Sequence, residues 1–176
     1  MADLRNRTTQ YIVQFLILLL AFFLDGSLKN VISFFNLPTM QVSLQLLLLV
    51  FIVGSLHDAG EDNHWFYFAL IIGILYDSYY SHIFGLYTVV FPLTVIVNKH
   101  LKKYLPHSLI FEWSVYFIFL TISMIYLYLV GSFLNLVLIN VNQFIVYWLA
   151  PSLLFNSLFF GVLYFPLAKL SDKLTH

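Results

Sequence analysis

Hydrophobic residues along this chain fall into six long runs separated by short polar stretches, and each run has the length of a helix rather than a strand. They predict helices at about 10–35, 40–56, 65–83, 86–100, 110–130 and 144–167. The first follows a polar lead-in carrying Arg5 and Arg7. No small-residue cleavage site comes after it, so it reads as a retained helix and not as a signal peptide. Asp25 and Lys29 have the i, i+4 spacing of an intrahelical ion pair, and Asn36-Leu37-Pro38 ends the helix. The second helix is built on the run from Leu46 to Val53 and stops at the most polar loop of the chain, 57–64. A short connection around Phe84-Gly85 joins the third helix to the fourth, where the interior Pro92 predicts a kink. A basic connector with Lys99, Lys102 and Lys103 leads to the fifth helix. Gly, Ser and Asn residues interrupt 131–142, which reads as an outer loop lying at the membrane interface. The sixth helix holds Asn156, with Pro151 near its start and Pro166 near its end.

Composition decides the solvent of these helices. Residues are 61% hydrophobic and only 9% charged, where a soluble domain carries roughly 25% charged residues. The fold class expected is an all-α integral membrane protein, one polytopic domain spanning 1–176. Zero net charge leaves no nucleic-acid footprint, and the lack of cysteine excludes disulfides and thiolate chemistry. The basic residues set the orientation. Six helices with both termini inside put Arg5, Arg7, Lys99, Lys102, Lys103, Lys169 and Lys173 in the cytoplasm and leave Lys29 alone outside. Trp65, Trp113 and Trp148 fall near predicted helix ends, as an aromatic belt requires.

Asp77 stands out against this background. It is a carboxylate inside the apolar run 65–84, about 18 Å along the helix from Trp65 and about 10 Å from Phe84, hence within one leaflet. A bare charge there costs several kcal/mol. Gly73, four residues earlier on the same face, marks a place where another helix can approach closely. Asp77 has three readings: it binds an ion or substrate, relays protons, or ties helices together through a buried hydrogen bond. As a lone carboxylate, without a second intramembrane acid or a basic partner at the same depth, it favours tying helices over transport, with Asn156, His82 and Lys29 as possible partners. On that reading Asp77→Asn is expected to be mild, because the amide keeps an acceptor. Asp77→Leu is expected to cost on the order of 1 to 3 kcal/mol.

The loop residues His57, Asp58, Glu61, Asp62 and His64 are metal-ligand types, but their spacing is neither a zinc nor an EF-hand pattern and no metal site is expected. Lys99, Lys102 and Lys103 suit anionic lipid, at about 1 kcal/mol each near the surface, and suffice as topology determinants. No nucleophile arrangement, phosphate loop or redox motif is present, so no enzyme activity and no cofactor are expected.

Gly73-Ile74-Leu75-Tyr76-Asp77, followed by Phe84-Gly85-Leu86-Tyr87, resembles the core "GLLxD … LGxY" pattern of the rod shape-determining protein MreD family. Pro38 before the second helix, and a last helix with Pro151, Asn156 and Phe165-Pro166-Leu167, are also similar to that family. Ile74 in place of leucine and the acidic loop after the second helix depart from it. The resemblance implies that Gly73, Asp77, Gly85, Tyr87, Pro38 and Asn156 are the motif residues. It also implies a non-enzymatic subunit of the bacterial inner membrane that partners an MreC-like single-pass protein and, through it, the transglycosylase and transpeptidase complex of cell elongation. The fold it implies is similar to the substrate-binding subunits of energy-coupling-factor vitamin transporters, which form the competing functional class.

Overall fold

The run from Leu46 to Val53 has no polar face, and a helix that is apolar all round has to be surrounded. The computed structural model bears this out. It describes residues 2–34, 41–58, 63–104 and 108–175, with side chains for 7–28, 41–58, 63–104 and 108–173. Within these lie six helices: α1 (Ala2–Phe34), α2 (Leu46–His57), α3 (His64–Tyr76, extended by a π turn Asp77–Ser81), α4 (Tyr87–Leu101), α5 (Leu109–Phe133) and α6. The last is continuous, opening as Val141–Phe144, passing through a π segment Ile145–Leu149 and running on as Ala150–Thr175. Every residue of α2 from Leu46 to Leu56 is buried, and α1, α4, α5 and α6 all pack against it.

Among the described residues, three helices are long and apolar enough to cross a membrane: residues 7–28 of α1, Leu109–Phe133, and 141–173 of α6. Their outward faces carry Leu16, Leu20, Ile118, Ile122, Leu154 and Leu158, all exposed, as lipid contact requires. At 12 residues, α2 reaches only about 18 Å. An extended segment at 41–45 precedes it, where the sequence predicted helix from about residue 40.

Other boundaries shift too. The predicted outer loop at 131–142 shrinks to a turn and an extended stretch at 134–140, because α5 continues to Phe133 and α6 starts at Val141 behind a capping box made by Asn140 and Gln143. Trp65 is not a belt residue: it is 5% exposed and packs against Phe51 and Gly54 in the core. Pro38, Glu61, Asp62 and the side chain of Lys29 lie outside the described residues. The bundle has two ends. His57, Asp58, His64, Lys102 and Asp172 mark the terminal end, and the α3–α4 junction and residues 134–140 mark the far end.

Candidate functional site

A helix that begins inside a bilayer leaves backbone N–H groups that water cannot reach. Two helices here, α2 and α4, start beside a buried carboxylate, and in each case that carboxylate comes from the preceding helix and serves the start. Asp77, with none of its surface exposed, is the first. Its Oδ1 accepts the Tyr87 N–H at 2.9 Å and the Ser81 hydroxyl at 3.1 Å. Its Oδ2 accepts the N–H of Gly85 at 2.9 Å, the N–H of Thr88 at 3.0 Å and the Thr88 hydroxyl at 2.8 Å. The carboxylate therefore closes the loop between α3 and α4 and neutralises the positive end of α4. These contacts differ from the partners considered from sequence. His82 is exposed and Asn156 bonds elsewhere, because the nearest donors to a carboxylate at the end of α3 are the free N–H groups of the next helix.

Two glycines permit this geometry. A Cβ on Gly73 would lie 2.8 Å from the Thr88 Cα and 2.9 Å from the Tyr87 carbonyl oxygen, so only glycine lets α3 come this close to the start of α4. Gly85 turns the loop at φ +102, and its carbonyl accepts the Tyr126 hydroxyl from α5 at 2.8 Å.

Asp25 is the second carboxylate, 3% exposed. Its oxygens accept the N–H groups of Leu46 at 2.7 Å and Leu47 at 3.1 Å, the opening donors of α2. Sequence spacing assigned Asp25 to an ion pair with Lys29. The Lys29 side chain lies outside the described residues, and the geometry gives Asp25 a helix start twenty-one residues downstream. It is also the intramembrane acid that the sequence reading of Asp77 as a lone carboxylate missed. The signal that could have found it was an aspartate directly after the apolar run 11–24, a charge next to a membrane-length hydrophobic stretch as Asp77 is within one.

The extended segment 41–45 must find partners for its own backbone, and α6 supplies them at regular steps. Pro151 has no N–H to give the Tyr147 carbonyl one turn earlier, and that carbonyl accepts the Gln41 N–H at 2.9 Å. Ser152 Oγ accepts the Ser43 N–H at 2.9 Å. Asn156 Oδ1 accepts the Gln45 N–H at 2.9 Å and the Tyr116 hydroxyl at 3.1 Å, while its Nδ2 donates to the carbonyls of Ser43 at 2.8 Å and Ser152 at 2.7 Å. Alternate residues of an extended strand thus meet successive turns of a helix. Ser43, Ser152 and Tyr116 were not singled out from sequence, since isolated Ser and Tyr carry no signal in an apolar run.

At the terminal end, His57 bridges three helices. Its Nε2 faces Glu112 at 3.0 Å and its Nδ1 faces Asp172 at 2.7 Å. Among the described residues weighed as metal ligands, His57 turns to α5 and α6, while His64 lies against Tyr11 with centroids 4.5 Å apart and its Nε2 3.9 Å from the Asp58 carboxylate. Lys99 Nζ donates to Asn63 at 2.8 Å and Lys102 Nζ to the Asp58 carbonyl at 3.0 Å, which fastens the end of α4 to this loop.

The fold and site define a class: a multi-pass membrane protein, all-helical among the described residues, in which buried carboxylates and asparagines hold the helices together. The family described as rod shape-determining protein MreD matches residues 9–174, and the chain belongs to that family of cell-shape proteins. It is 26% identical over 160 residues to the "Cell shape-determining protein MreD" of Streptococcus pneumoniae (strain ATCC BAA-255 / R6), a match covering 86% of this chain and 92% of that protein. No solved structure matches the chain, so the likeness to transporter substrate-binding subunits finds no support there.

Proposed function

We propose that this chain is a non-enzymatic scaffold subunit of the cell-elongation machinery in the bacterial cytoplasmic membrane, binding an MreC-like single-pass protein and through it supporting peptidoglycan synthesis. The observation that carries the reading is family membership over nearly the whole chain. The use of the buried polar side chains supports it: Asp25, Asp77, Ser152 and Asn156 all bond to the chain's own backbone, as a rigid scaffold requires. Purification of the tagged protein from native membranes in mild detergent is expected to bring down a single-pass partner with a large extracytoplasmic domain. Recovery of an ATPase-containing transport complex or a bound vitamin instead would favour the transporter-subunit reading.

The same reading puts both termini in the cytoplasm, supported by the seven-to-one distribution of basic residues. Reporter fusions are expected to give a cytoplasmic signal at the C-terminus and an extracytoplasmic one at residue 136. An extracytoplasmic signal from the C-terminus would refute that orientation.

A further inference from the structure

Beside the two capped helix starts lies a cavity of about 230 Å³ that the capping scheme does not use. Its wall includes Asp25, Tyr76, Tyr80, Tyr87, Phe144 and Trp148, and no lysine, arginine or histidine lines it among the described residues. Tyr80 and Trp148 are part-exposed, so the cavity reaches the surface at the far end. We propose that it binds an organic ammonium group, such as the amine of a phospholipid headgroup or of a free small molecule.

Three observations converge on that chemistry. The first is charge. Asp25 forms part of the wall, and Asp77 sits one hydrogen bond behind it, through Ser81 and the Tyr87 N–H. Both carboxylates offer only acceptor oxygens towards this region, and no basic side chain lines it among the described residues. The second is the wall itself. Tyr76 has ring centroids 4.1 Å from Tyr87 and 4.9 Å from Tyr80, and Phe144 and Trp148 add aromatic surface. Aromatic faces around a carboxylate attract ammonium through the ring quadrupole. A compact metal ion would need several free oxygen ligands, and both Asp25 oxygens already accept backbone N–H groups. The third is size, since the volume falls below that of most drug-sized sites and suits a headgroup.

The test uses the full chain in non-ionic detergent with radiolabelled choline as probe. Saturable one-to-one binding is expected, weakened about tenfold by Trp148→Leu and by Asp25→Asn. Melting temperature is recorded for each variant. If Asp25→Asn does not fold, Trp148→Leu decides, because Trp148 has no capping role. Displacement of choline by phosphatidylethanolamine vesicles but not by phosphatidylglycerol vesicles would support the proposal with a lipid headgroup as the source. Displacement by neither would support it with a free amine. Equal displacement by both, absence of saturable binding, or undiminished binding to Trp148→Leu would overturn it. So would binding seen only in Lys29→Gln, since the chain's own lysine would then be the occupant. None of these outcomes bears on partner binding, which is read separately by co-purification.

Discussion

Asp77→Leu is expected to remove most of the folded protein from the membrane, and Asp77→Asn to remove a substantial part of it. Leucine strands three backbone N–H groups, of Gly85, Tyr87 and Thr88, at a part-buried junction, together with the hydroxyls of Ser81 and Thr88. At about 1 to 3 kcal/mol for each buried donor left unpaired, the loss is several kcal/mol, comparable with the whole stability of a typical domain. The asparagine variant is where the structure changes the expectation drawn from sequence. Both carboxylate oxygens accept hydrogen bonds, whereas an amide offers one oxygen and turns an NH2 towards donors. The Ser81 and Thr88 hydroxyls can turn to accept from the NH2, but the backbone N–H groups cannot, so one such contact (Tyr87) or two (Gly85 and Thr88) would fail and Asp77→Asn is expected to fall between wild type and leucine. Immunoblotting of membranes and thermal unfolding in detergent measure this order. An asparagine variant as abundant and stable as wild type would sink the capping account. If such a variant still bound its partner and failed only in cell-shape complementation, Asp77 would have to be a proton or ion carrier.

Gly73→Ala should be nearly as damaging, although it adds a single methyl group. The atoms that the new Cβ would meet are the Thr88 Cα at 2.8 Å and the Tyr87 carbonyl oxygen at 2.9 Å, both main chain, so no side-chain rotation relieves the overlap. α3 and α4 would have to move apart, at about 1 to 3 kcal/mol for an overpacked contact, and leucine would force a wider gap. The displacement pulls the Tyr87 and Thr88 N–H groups away from Asp77, so the two sites share one junction. A double-mutant cycle between Gly73→Ala and Asp77→Asn is therefore expected to be less than additive. Gly161→Ala provides the control, since its Cβ would meet nothing within 4 Å. It should leave the protein level unchanged, and equal loss in the two alanine variants would mean that crowding at the junction is not the cause.

Much of this organisation is legible in the sequence. Six apolar runs become six helices among the described residues, because the need to satisfy backbone groups in lipid leaves few options for such runs. Gly73 and Asp77 announce themselves locally, as a small residue and a charge one turn apart on an apolar helix. What the sequence could not decide was where the polar side chains go. Asp25 has Lys29 at ideal spacing, yet its carboxylate reaches the start of α2. Asn156 and Ser152 hold a segment 109 to 113 residues away. Pro151, which reads as a helix breaker, instead frees a carbonyl for Gln41. The physical reason is the same each time. Hydrophobic periodicity is a property of neighbours along the chain, so the sequence alone determined the helices and their solvent. A buried donor bonds to whatever acceptor the packing brings within about 3 Å, so only the tertiary structure decided that residues 41–45 stay extended, that two acids start two helices, and that an aromatic cavity opens beside them.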